Sequence, residues 1–185
     1  MSEVIRIFGI DPGSIATGWG VIDSQGPRLS FVNAGVLRPP RTLTRAGRLA
    51  FLLEELGQLI ARYGPDEAAV EETFVNANPK DALVLGQARG IALAAPAQAG
   101  LPVDEYAANS VKKSVVGRGH ADKTQVQAMV RVLLPSSGTQ KADAADALAV
   151  AICHAHHRPH HRAHHQECSN IKTPVKSRVS AGERS

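Results

Sequence analysis

The sequence predicts an α/β domain built on a mixed sheet. Three observations carry this. An apolar strand opens the chain and two more follow at hairpin distance. Short strands then alternate with long helical patterns, and helices alone close the body. Val4–Ile10 alternates and is rich in β-branched residues, and Asp11-Pro12-Gly13 ends it. Gly18–Ile22 and Leu29–Leu37, each bounded by Gly, Pro or Asp, extend it into an antiparallel meander. Leu49, Leu52, Leu53, Leu56, Leu59 and Ile60 recur at helical spacing until Gly64-Pro65 stops the helix. Ala68–Glu71 is a short buried strand and residues 81 to about 95 are helical. Val103–Tyr106 is a strand again, followed by helices over 109–116, 123–134 and 142–153. There is no internal repeat.

The chain of 185 residues is close to one ordinary domain and too short for two substantial ones. Apolar residues at 43% and charged residues at 21% exclude wholesale disorder. No window of 18 residues is free of charges or breakers, so no membrane helix is expected. Glu3, Arg6 and Asp11 interrupt the first apolar run, unlike a signal peptide. With two cysteines, Cys153 and Cys168, a disulfide framework is excluded and a reducing cytoplasm is the expected location. Residues 1–153 hold 15 Lys/Arg and 15 Asp/Glu, so the whole net charge of +4 lies in residues 154–185. A basic total therefore does not by itself mark a nucleic-acid binder.

Composition changes near residue 156. Seven of the eight histidines lie between 154 and 165, and the remainder is polar without an apolar period. The expectation is a domain over 1–156 and a His/Arg-rich disordered tail over 157–185, with Pro159 breaking any helix. The spacing HAHHRPHHRAHH matches no closed tetrahedral metal motif.

Four acids carry the unusual chemistry. Asp11 and Glu71 each end an apolar strand, while Asp143 and Asp146, three apart, share one face of a helix. Around them stand Ala144, Ala145, Ala147, Leu148 and Ala149, mostly small side chains that let a helix backbone approach a sheet. Singly, each acid has a plain structural reading: a turn residue, a solvated strand end, a first-turn helix acid. Together, four carboxylates without basic partners would repel one another. A hard divalent cation resolves that conflict and suits two-metal phosphoryl transfer.

At this point the sequence resembles the RuvC family of Holliday junction resolvases, within the ribonuclease H-like superfamily. The segments that carry the resemblance are GIDPGS (9–14), TGWGVI (17–22), VEETF (70–74), ALVLGQARG (82–90), EYAANSVKKSVVG (105–117), ADKTQVQAMV (121–130) and ADAADALAVAICH (142–154). They stand in the family's order and cover residues 4–154. The resemblance implies a ribonuclease H-like mixed sheet flanked by helices. It implies that Asp11, Glu71, Asp143 and Asp146 are catalytic and metal-binding, with two Mg²⁺ per subunit and Mn²⁺ as a substitute. One metal would be held by Asp11 and the helix acids, the other by Asp11 and Glu71, giving 5′-phosphate and 3′-hydroxyl ends. It implies a homodimer that binds a four-way DNA junction and nicks two strands of like polarity, in recombination and repair. A branch-migration motor of the RuvA–RuvB type is the implied partner. Phe74 matches an aromatic residue that stacks on a junction base, and Lys112 and Lys123 match lysines that contact the DNA backbone. Lys113 and Arg118 are weaker candidates, and a solvated helix face explains Lys113 equally well.

Three rivals remain. GIDPGSIATGWGVI also resembles the phosphate hairpin of the actin and sugar-kinase superfamily, but that fold needs a second lobe this chain does not offer. A ribonuclease H acting on RNA–DNA hybrids would use the same acids; Phe74 and the lysine helix favour the junction. A catalytically silent junction binder has nothing in its favour while all four acids are present.

Overall fold

The computed structural model describes residues 3–72, 79–119 and 121–168. Five strands, β1 (Ile5–Asp11), β2 (Thr17–Gln25), β3 (Arg28–Leu37), β4 (Glu67–Glu72) and β5 (Val103–Ala107), form one sheet in the order β3-β2-β1-β4-β5. The first three form the expected antiparallel meander, and β4 and β5 then add in parallel beside β1. The helices are α1 (Arg45–Tyr63), α2 (Pro79–Gln98), α3 (Ala108–Val116), α4 (Lys123–Leu133) and α5 (Ala142–Cys168). Thr44 caps α1, its hydroxyl accepting from the Gly47 amide at 3.2 Å, and Gly64 ends it at φ 55°. Asp122 and Gln125 form a reciprocal capping box that starts α4.

Strand alternation divides the core in two. Phe8, Ile10, Trp19, Val21, Ala68 and Val70 pack against α1 and α2. Ile5, Ile7, Ile22, Ala69 and Tyr106 pack on the other face, with Val111 and Val115 of α3, Val126 and Val130 of α4, and α5. A period of two then dictates where the strand-end acids point. Asp11 shares its parity with Ile5 and Ile7, and Glu71 shares its parity with Ala69, so both belong to the α5 face.

On that face the sheet presents glycine. A Cβ on Gly18 would stand 1.9 Å from the Asp143 carbonyl oxygen, and one on Gly9 would stand 2.3 Å from that of Ala147. Side chains are thus kept small where α5 crosses β1 and β2, with glycine in the strands and mostly alanine in Ala144–Ala151 of the helix, while the Leu148 side chain fills the space over Gly20.

The end of α5 differs from the sequence reading. Instead of stopping at Cys153 before a break at Pro159, the helix runs to Cys168. Pro159 removes one backbone hydrogen bond, a local cost of about 3 kcal/mol, while tertiary contacts hold the helix just before it. Arg158, placed in the tail by composition, donates from Nε to the Glu67 carboxylate at 2.8 and 2.9 Å. The packed body therefore extends past residue 156. Among the described residues no helix is long and apolar enough to cross a membrane.

Candidate active site

The carboxylates meet at the edge of the sheet where β1, β3, β4 and β5 all end. Asp11 is the last residue of β1 and still pairs with Gly18, and Glu71 pairs with Tyr106 across β4 and β5. Adjacent parallel strands bring these two acids side by side, and their carboxyl groups share a hydrogen bond. Packing of α5 over the glycines supplies Asp146 from above. Asp11, Glu71 and Asp146 line an open cavity of about 230 Å³, whose other wall carries Lys112 of α3 and Lys123 of α4. Asp143 lies one helical turn before Asp146, half-buried at the lip.

Burial and like charge dominate the electrostatics. Burial, the neighbouring Glu71, and then Asp146 and Asp143 push the Asp11 carboxyl up to about 9. Burial also raises Glu71, against the hydrogen bond from Asp11 and the charges of Lys123 and Lys112. Asp146 is raised by burial too, in spite of Lys123, whose Nζ stands 3.5 Å from its Oδ2. Without a cation the Asp11–Glu71 pair thus retains a proton at neutral pH, shared between the two carboxyls. A proton shared between buried carboxyls is the signature of a site with more anionic oxygens than cations.

The donor set suits a hard divalent cation by its chemistry, being all carboxylate oxygen. Among the described residues no three His, Cys, Asp or Glu side chains already close on one point as a formed cage. Asp143 instead faces Arg38, whose Nη2 donates to Oδ2 at 3.0 Å, and Asp146 faces Lys123. The acids on α5 are thus paired with exposed cations, and such pairs are weak enough to exchange.

The structure brings Asp11, Glu71, Asp146, Lys112 and Lys123 around one cavity and sets Asp143 beside it. Phe74 lies outside the described residues. Arg38 and Arg48 were absent from the sequence reading. Arg48 donates from Nη2 to the Ser14 carbonyl at 2.9 Å, three residues beyond Asp11. A signal was present: residues 24–53 contain five arginines and no acid.

A buried polar network at the far end of α5 was also missed. Glu67 begins the strand that ends in the Glu71-Glu72 pair, and its Oε2 accepts from His154 Nε2 at 2.8 Å and from Arg158. His154 is almost wholly buried, and its Nδ1 accepts from the Tyr106 hydroxyl at 2.9 Å. Burial holds that hydroxyl protonated, well above its ordinary range. Burial alone would raise Glu67; the bonds from His154 and Arg158 outweigh it and hold the carboxyl down at about 2. Along α5, Asp146 and His154 are about 12 Å apart at 1.5 Å per residue. Along β4, Glu67 and Glu71 are about 13 Å apart. Strand and helix run in opposite directions with matching spans, so the network pins one end of the pair that carries acids at the other.

The chain is also similar to known proteins. The family model described as "Crossover junction endodeoxyribonuclease RuvC" matches residues 7–154. A protein of that name from Azorhizobium caulinodans is 59% identical over 155 residues, covering 84% of this chain and 92% of the relative. One from Xanthobacter autotrophicus is 60% identical over 156 residues, covering 84% and 92%. The solved structure of T. thermophilus RuvC in complex with a Holliday junction substrate superposes with a TM-score of 0.76 at 31% identity, covering 82% of this chain and 93% of that one. The mixed sheet flanked by helices is the ribonuclease H-like architecture the sequence led us to expect.

Proposed function

Because the chain belongs to the crossover junction endodeoxyribonuclease RuvC family, we propose that it resolves four-way DNA junctions in recombination and repair, as a homodimer making paired nicks on strands of like polarity. The observation that carries this reading is the cavity itself. Carboxylates from two adjacent strands and one helix line a single open cavity of about 230 Å³ together with two lysines. A linear run of surface charge would bind DNA but offer no reacting centre.

Asp11, Glu71, Asp143 and Asp146 would hold Mg²⁺, two ions per subunit, with Mn²⁺ as a substitute. The bound metal would supply Lewis-acid activation of water and stabilisation of the leaving 3′ oxygen, leaving 5′-phosphate ends. The protein's own groups do the rest. Lys112 and Lys123 draw a backbone phosphate into the cavity, against the repulsion of the acids. Lys123 exchanges Asp146 for that phosphate, which frees the carboxylate toward the cation. Phe74, two residues beyond Glu72 at the end of β4, stacks on an exposed junction base and so holds the scissile phosphate in place. A two-fold dimer matches the symmetry of the junction and provides two such centres at a fixed separation. We place the enzyme in the cytoplasm, working with a branch-migration motor of the RuvA–RuvB type. The nuclease domain spans the expected 1–156 and runs on to Arg158, its last anchor, and a His/Arg-rich tail follows.

Incubation with labelled four-way junctions, linear duplex and RNA–DNA hybrid, with and without Mg²⁺, tests the reading. Paired symmetric cuts confined to the junction and to Mg²⁺ are expected, with Asp11→Asn inactive yet still bound. Equal cutting of linear duplex or hybrid would overturn it.

A further inference from the structure

The edge of the sheet that holds the acids carries more cations than the lysine wall of the cavity. Arg38, Arg41, Arg45 and Arg48 fall within eleven residues that leave β3 and enter α1. No carboxylate interrupts residues 24–53, although the body over 1–153 is neutral. A solvated surface ordinarily mixes signs, because like charges in sequence repel. Arg45 and Arg48 also stand in the first turn of α1, where the macrodipole disfavours cations and no acid offsets them. Within the stretch itself no acid offsets these cations, and among the described residues only Asp143, from α5, meets one of them.

Sheet topology places this bank. Strand β3 is antiparallel to β2, as β1 is, so β3 and β1 run the same way. Arg38, next after Leu37, thus emerges on the same edge as Asp11, two strands to one side. On the other side, β5 lies two strands from β1 and leads directly into α3 with Lys112. At about 4.8 Å per strand each bank begins roughly 10 Å from Asp11. Two contacts fasten the arginine bank to the site: Arg38 on Asp143 at 3.0 Å and Arg48 on the Ser14 carbonyl at 2.9 Å. Arg41 and Arg45 are exposed, and among the described residues no carboxylate pairs with either.

We propose that Arg38, Arg41 and Arg45 form a second phosphate track, which grips the DNA backbone on the β3 side of the carboxylates, opposite Lys112 and Lys123. The inference rests on the junction-nuclease reading and adds a binding surface to it. Guanidinium groups suit this role because each can donate two parallel hydrogen bonds to a phosphate. Held only from the lysine side, a backbone could pivot about the cavity. Held from both sides, it is kept across the acids.

The test is junction affinity of the full chain in EDTA as a function of NaCl, for wild type, R41A/R45A, R41K/R45K, K112A and R28A. Each lost phosphate contact lowers the slope of log K against log salt by about 0.9, so R41A/R45A should lose about 1.8 and K112A about 0.9. R28A, at the opposite end of β3, should match wild type. R41K/R45K should recover most of the slope, since a lysine still meets a phosphate. An unchanged slope in R41A/R45A beside a reduced one in K112A overturns the arginine track alone. A loss that the lysine pair does not recover, with a lower melting temperature, makes these residues structural and likewise overturns it. Wild-type binding that fails to distinguish junction from duplex, with no effect of K112A, removes the junction reading itself.

Discussion

Gly18→Ala is the sharpest single test of how the acids are held. The new Cβ would lie 1.9 Å from the Asp143 carbonyl oxygen and 2.5 Å from its carbon, both backbone atoms. Cβ contacts under 3.0 Å essentially never occur, so helix and strand must separate by 3.0 − 1.9, or about 1.1 Å. That movement acts on the residue that bears one helix acid, one turn before the other, while Asp11 stays in register with residue 18 on the next strand. A 1 Å misplacement of reacting groups costs about a hundredfold in rate. Overpacking should also cost about 1–3 kcal/mol, which for a domain of this size lowers the melting temperature by roughly 2–12 °C. Junction cleavage under single-turnover conditions and a thermal melt in the same buffer give both readouts. Gly57→Ala is the matched control: in α1, a Cβ there meets nothing within 4 Å. It should leave cutting intact and stabilise the helix by up to about 1 kcal/mol. Gly18→Ala cutting within a few-fold of wild type, at an unchanged melting temperature, would refute the close crossing of α5.

Other perturbations have equally definite signs. Glu67, ordinarily near 4.5, is held at about 2 in the fold, so its stabilisation is present above about pH 4.5 and is lost as pH falls toward 2. The difference of 4.5 − 2 corresponds to roughly 3 kcal/mol at most, and about 1.5–2 after allowing for its contact with solvent. Glu67→Gln should therefore melt roughly 3–8 °C lower at pH 7, with the deficit shrinking to about a quarter of that near pH 2.5, and an equal deficit at both would remove the ion-pair account. Asp11 is displaced the other way, to about 9, so its charge opposes folding increasingly as pH rises from 3.8. In chelator, Asp11→Asn should melt above wild type at pH 8 and with it at pH 4, while cutting nothing; a lower melt at pH 8 contradicts the crowding of acids. Phe74→Ala should slow junction cutting by about 5- to 150-fold, the value of one stacked base, without changing the melting temperature. A fall in melting temperature would instead assign Phe74 to the core.

Much of the site was legible because it is local. Alternation along β1 puts Ile5, Ile7 and Asp11 on one face within seven residues, and the spacing of Asp143 and Asp146 needs only a helix. Residue pattern and helical period act within a few positions, so they survive without knowledge of the partner surfaces. The glycines of β1 and β2 were visible too, yet their purpose depends on which helix crosses them.

What the tertiary structure decided is everything that joins distant stretches. The order β3-β2-β1-β4-β5 cannot be read from the strands singly, yet it sets Asp11 beside Glu71 and puts an arginine bank and a lysine bank on opposite sides. The continuation of α5 beyond Cys153 is invisible to composition, because it rests on Glu67, 87 residues before His154 and 91 before Arg158. Arg38 meets Asp143 across 105 residues. Local sequence specifies the period of an element and the side it buries, since those depend on bonded geometry and on water. Which elements meet depends on complementary shape and on the exchange of buried charges, and those exist only once the chain has closed on itself.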